Sequence, residues 1–87
     1  MSIESGRSAI RLTLYGRRYC HLCEDMVRAL ASMPGFAFEI EMIDVDGDPA
    51  LEAAFGEWVP VLFHGDERIC HYHLDPERLT AHLNSFR

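Results

Sequence analysis

Gly16-Arg17-Arg18-Tyr19-Cys20-His21-Leu22-Cys23-Glu24 is the stretch on which the fold turns. It begins where one periodicity ends and closes where another has started. Upstream, Ile10, Leu12 and Leu14 alternate with Arg11, Thr13 and Tyr15, the two-residue period of a strand, and Gly16 ends it. Downstream, Leu22, Met26, Ala29, Leu30 and Met33 recur at helical spacing, with Glu24, Asp25 and Arg28 off that face. Pro34-Gly35 stops the helix. The C-x-x-C of Cys20 and Cys23 therefore sits between a strand and the first turn of a helix. Free N–H groups and the positive end of the helix dipole stabilise a thiolate at that place. Cys20, at the mouth of the loop, is the candidate nucleophile; Cys23, on the first turn, is the more buried resolving thiol. The spacing predicts a reversible Cys20–Cys23 disulfide that leaves Cys70 free.

Beyond the helix, Phe36, Phe38, Ile40 and Met42 alternate with Ala37, Glu39 and Glu41, a second strand whose apolar content runs on through Ile43 and Val45. Asp48-Pro49 reads as N-cap and first helical residue of a short helix with Leu51, Ala54 and Phe55 inward, closed by Gly56. Val59 to Phe63 is an apolar third strand, His64 to Glu67 a tight turn, and Arg68 to His71 a fourth strand. Asp75-Pro76 opens a last helix with Leu79, Leu83 and Phe86 inward. The order is β-α-β-α-β-β-α. The first two strands are expected to be parallel with a right-handed crossover, and the last two an antiparallel hairpin. Residues 1–8 read as a flexible lead-in, and 9–87 as one domain.

Composition narrows the function classes. Fourteen acids against eight bases, all of them arginine, leave a net charge of −6. An acidic chain without a basic run is a poor match for nucleic acid or an anionic membrane. No apolar stretch approaches the roughly 18 residues a membrane span needs, and the first ten residues hold no apolar core of a secretory signal. Three cysteines are too few and too odd in number for a secreted disulfide scaffold. A reducing compartment, the cytoplasm, is the expectation, with a monomeric chain.

The Gly16–Glu24 segment resembles the active-site segment of glutaredoxin-like proteins, in particular the short bacterial group with a C-H-L-C centre. Ile43-Asp44-Val45-Asp46 with Asp48-Pro49-Ala50-Leu51 is similar to the stretch after the second strand in that family, and Trp58-Val59-Pro60-Val61-Leu62 to its Val-Pro segment. The likeness spans about residues 9 to 86. It implies a thioredoxin-like α/β fold: a four-stranded mixed sheet in the order 2-1-3-4, flanked by three helices. It also implies thiol–disulfide oxidoreductase activity in cell redox homeostasis, with a cis Pro60 and a Val59 backbone facing the sulfurs. Candidate substrate-binding residues are then Arg17, Tyr19, His21, Val59, Pro60 and Asp75. Arg17 resembles the basic residue that pairs with a glutathione carboxylate, and Asp75 would meet the tripeptide's amino group. The family's Gly-Gly after the fourth strand is replaced here by Cys70-His71-Tyr72-His73, which predicts weak glutathione binding at most. Protein or small-molecule disulfides are the expected substrates, with a thiol reductant of the glutathione or thioredoxin type and no required cofactor.

Two other classes compete. Cys20 and Cys23 with Cys70 or His71 would make a thiolate site for zinc or an iron–sulfur cluster, although the spacing matches no zinc finger. A non-catalytic peptide-binding module would use the Val-Pro groove alone, and the intact cysteine pair argues against it. His64 and His82 read as remote from all of this. Arg17 and Arg18 favour a thiolate, whereas Glu24 and Asp25 oppose one and also suit the helix dipole.

Overall fold

A computed structural model describes residues 9–86, apart from the Phe86 side chain. The expected lead-in at 1–8, and the inward placement of Phe86, lie outside the described residues. The elements are β1 (Ala9–Gly16), α1 (His21–Ala31), β2 (Ala37–Asp44), α2 (Pro49–Phe55), β3 (Val61–His64), β4 (Glu67–His71) and α3 (Pro76–Phe86). The sheet order is β2-β1-β3-β4, with β1 parallel to β2 and antiparallel to β3, and β3 antiparallel to β4. This is the thioredoxin-like arrangement expected from the sequence.

Strand alternation divides the apolar residues between two layers. On one face, Leu12 and Leu14 of β1, Leu62 of β3 and Ile69 of β4 pack with Met26 and Leu30 of α1 and Leu79 of α3. On the other, Tyr15 of β1 stacks on Phe55 of α2 at 4.5 Å between ring centroids, and both meet Phe63 of β3 edge-on. Central β3 is thus covered on both sides. Val61 and Leu62, neighbours in sequence, are both fully buried, which is why this strand reads as an unbroken apolar run.

Several boundaries differ from the sequence reading. α1 ends at Ala31, with Ser32 as C-cap donating from its hydroxyl to the Arg28 carbonyl; Met33 precedes Pro34, and a residue before proline is pushed out of the helical region. β2 ends at Asp44 instead of running on, because Asp44 accepts the Asp46 N–H and Val45–Gly47 form a 3-10 turn. β3 begins at Val61, two residues beyond the expected start at Val59, since Pro60 has no N–H to give to a ladder. Both Asp-Pro helix starts are capped as expected, Asp48 accepting from the Ala50 N–H and Asp75 from the Arg78 N–H. No helix among the described residues is long and apolar enough to cross a membrane.

Candidate functional site at the head of helix α1

The topology gathers four chain segments at one end of the sheet. β1 ends there and β2 ends beside it, β3 starts there, and β4 returns to it. Cys20 stands at that end as the N-cap of α1, extended at φ −104° and ψ 110°, and its Sγ accepts the backbone N–H of Cys23 at 3.1 Å. A sulfur here does what an aspartate or serine does at other N-caps: it satisfies a helix-end donor that has no carbonyl partner. Cys20 is disulfide-bonded to Cys23, with a Cα separation of 5.2 Å.

The two cysteines differ in access. Cys20 is partly exposed, whereas Cys23 is 3% exposed. The last residue of β1 makes room for the buried one. A Cβ on Gly16 would stand 2.8 Å from Cys23 Sγ, so only glycine lets the strand end lie against the sulfur.

The other expected site residues fall in different places. Tyr19 adopts φ 57° and is 93% exposed, and His21 is exposed on the first turn of α1. Arg17, half-buried, reaches across to neighbouring segments. Its guanidinium bonds Asp46, both Glu52 oxygens at 3.1 and 3.5 Å, and the Gly56 carbonyl at 2.7 Å. The hydrogen bond to Glu52, then the charges of Asp46 and Glu52, push its pKa up despite partial desolvation. Arg17 thus ties the loop before α1 to the 3-10 turn and α2. Val59 is half-buried, and the buried Pro60 follows it through a cis peptide bond. Pro60's carbonyl accepts the Tyr72 N–H at 2.9 Å. Asp75 caps α3.

A cleft of about 420 Å³ opens onto both cysteines, with Arg18, Tyr19, Val27, Arg28 and Met42 among its walls. Val59, Pro60 and Asp75 do not line it. The alternation along β2 turns Met42 inward, and the structure corrects this. Met42 shares a register position with fully buried Leu14, but β2 is an edge strand, and Met42 is 50% exposed. The alternation identifies its face without revealing that the sheet edge leaves it open.

Across Pro60 lies an aromatic cluster that sequence reading misses. Trp58 and His71 meet edge-on at 5.3 Å, His71 and Tyr72 at 4.7 Å, and the Tyr72 hydroxyl donates to the Glu57 carbonyl at 2.9 Å. His71 is therefore half-buried among rings at the end of β4.

Cys70 and His71, the alternative third ligands of a metal site, face different ways. Cys70 pairs in register with Leu62 and packs against the main core, whereas His71 points to the opposite face beside Trp58. Adjacent strand residues face opposite sides of the sheet, so at most one of the two could stand with Cys20 and Cys23. Burial pushes the Cys70 thiol up, against a hydrogen bond from the Asp75 backbone. Among the described residues no three His, Cys, Asp or Glu side chains form a group that could hold a metal.

Residues 11–84 match the family model of the glutaredoxin-like domain (DUF836). The chain belongs to the glutaredoxin-like domain family. Two solved structures agree: the X-ray and solution structures of Northeast Structural Genomics target protein XcR50 from X. campestris. Each is 43% identical over 85% of this chain. The matches cover 96% and 92% of those chains, with TM-scores of 0.68 and 0.66. No curated protein matches the chain. A glutaredoxin-like domain with Cys20 and Cys23 at disulfide distance fits thiol–disulfide chemistry.

Proposed function

We propose that this chain is a dithiol thiol–disulfide oxidoreductase acting in cell redox homeostasis, with Cys20 as nucleophile and Cys23 as resolving thiol. The observation that carries the reading is the capping role of Cys20: its sulfur already accepts a helix-end N–H. In the reduced protein that donor and the helix dipole favour a thiolate on the more exposed cysteine. The thiolate attacks a substrate disulfide and expels one half as a thiolate. Cys23 then loses its proton, attacks Cys20 Sγ and releases the other half, leaving the protein oxidised by two electrons. A thiol reductant of the glutathione or thioredoxin class restores the pair. Residence in a reducing compartment, the cytoplasm, fits that cycle.

Substrates on this reading are protein or small-molecule disulfides, with Tyr19, His21, Val59 and Pro60 on the docking side. Glutathione binds weakly. Arg17 is held by Asp46 and Glu52, and Tyr72 and His73, which follow β4, stand where the family has glycines. The test is trapping. Cys23→Ser should accumulate mixed disulfides with added substrate, and Cys20→Ser should abolish exchange. Faster alkylation of Cys23 than of Cys20 across pH would contradict the assigned roles.

A further inference from the structure

The cleft beside the cysteines is charged unlike the chain around it. Three of the eight bases line it, Arg17, Arg18 and Arg28, against a single acid, Glu24. Arg17 is held by Asp46 and Glu52, and Arg28 pairs with Asp25 on the same helix. Arg18 is exposed and, among the described residues, its side chain makes no ion pair or hydrogen bond. Its charge is therefore available to a ligand, in a protein whose net charge of −6 repels anions elsewhere.

The remaining walls are apolar. Val27 and the half-exposed Met42 lie on the α1 and β2 sides. Tyr19, next to Cys20, presents its ring to solvent at 93% exposure, with no hydrogen bond or ring contact among the described residues. Its left-handed backbone at φ 57° is costly for a residue with a Cβ. Nothing in the fold is gained from that ring. A volume of about 420 Å³ suits a small molecule rather than a folded partner.

We propose that this cleft holds the leaving half of a small disulfide: a thiol with an apolar body and a carboxylate, the carboxylate on Arg18 and the body under Tyr19. The inference rests on the exchange reaction of the proposed function. Cys20 thiolate bonds one substrate sulfur, the substrate S–S bond breaks, and its electron pair leaves on the other sulfur as a thiolate within the cleft. Cys23 then closes the protein disulfide and expels the second half, so two electrons pass to the substrate.

The test compares single-turnover rates of the reduced protein with two aromatic disulfides, the dicarboxylate dithiobis-nitrobenzoate and the uncharged dithiodipyridine. Each rate is divided by that of the same disulfide with free dithiothreitol. The wild type should prefer the dicarboxylate by about fivefold, as one exposed ion pair allows, and added salt should erase the preference. Arg18→Glu should slow the dicarboxylate about tenfold more than the uncharged disulfide, whose own rate carries any loss of thiolate. Tyr19→Ala should slow both. An equal normalised rate for the two disulfides in the wild type, or a preference that survives Arg18→Glu, would overturn the proposal while leaving the oxidoreductase reading intact. Reaction of both disulfides with Cys20→Ser as fast as with the wild type would remove the oxidoreductase reading, and the cleft assignment with it.

Discussion

At the cysteine end of the sheet the left-handed backbone positions carry tyrosines, Tyr19 at φ 57° and Tyr72 at φ 67°. At the opposite end they carry glycines, Gly35 at φ 84° and Gly65 at φ 60°. The glycine end turns the chain between α1 and β2 and between β3 and β4 at no steric cost. The tyrosine end accepts that cost. Tyr72 recovers it through its N–H to Pro60 and its hydroxyl to Glu57, whereas Tyr19 recovers nothing from the fold. Among the described residues the exposed large apolar side chains follow the same division: Tyr19, Met42, Trp58 and Tyr72 all stand where β1, β2 and β4 end and β3 begins. Local stability has been given up where Cys20 and Cys23 sit and kept where the chain merely turns.

The far end has its own polar feature. His64 Nδ1 and His82 Nε2 lie 2.8 Å apart, joining the end of β3 to α3 beside a groove of about 660 Å³ that contains no cysteine. Burial first, and the charge of His82 second, push the His64 pKa down. A hydrogen bond between the rings needs at least one neutral imidazole.

The contrast is tested most severely at Gly16. Its close approach to Cys23 makes Gly16→Val an overpacking change at the site, expected to cost about 1–3 kcal/mol in chemical denaturation and to slow formation of the cysteine pair. Gly35→Ala at the other end meets no atom within 4 Å; it should cost about 1 kcal/mol from backbone strain alone and leave thiol reactivity unchanged. Equal effects on thiol reactivity would erase the distinction between the ends. Tyr19→Gly sharpens it with the opposite sign: a gain of about 0.5–1 kcal/mol, once the left-handed strain is set against the flexibility of glycine, together with slower disulfide exchange. A destabilised Tyr19→Gly would mean that the ring supports the fold after all.

The smallest effect belongs to the histidine pair. His64 titrates lower in the folded chain than in the unfolded one, whose value is about 6.5. Above that pH His64 is neutral in both states and contributes no pH dependence. As the pH falls below it the unfolded chain takes the proton first, so the melting temperature should drop on acidification. His64→Gln should flatten that slope, and thiol exchange at the other end should be untouched. A slope unchanged by the substitution would assign the acid sensitivity to other groups.

Much of this is legible from the sequence because each signal is local. The alternation of Ile10, Leu12 and Leu14, the helical run from Leu22, and the Asp-Pro caps each determine structure within a few residues. The position of Cys20 and Cys23 between strand and helix comes from the same signals. The hidden features depend on contacts between distant segments. Arg17 meets Asp46 and Glu52, 29 and 35 residues away, and no spacing rule announces such a network. His64 and His82 read as remote because only the packing of α3 against the hairpin brings their rings together. Trp58, His71 and Tyr72 are separate features of the sequence until the antiparallel pairing of β3 and β4 makes them one cluster. Tyr19 carries no sequence signal for its left-handed backbone, since glycine marks that conformation in most turns.

On the proposed function, Cys20 and Cys23 form a reversible redox pair while Cys70 takes no part. Equilibrating the protein across a dithiothreitol redox series, quenching with an alkylating agent and mapping the thiols by mass spectrometry tests it most directly. One two-electron transition is expected, in which Cys20 and Cys23 are protected together and Cys70 is alkylated at every potential once the protein is unfolded. A dominant Cys20–Cys70 bridge, with Cys23 alkylated, would contradict it.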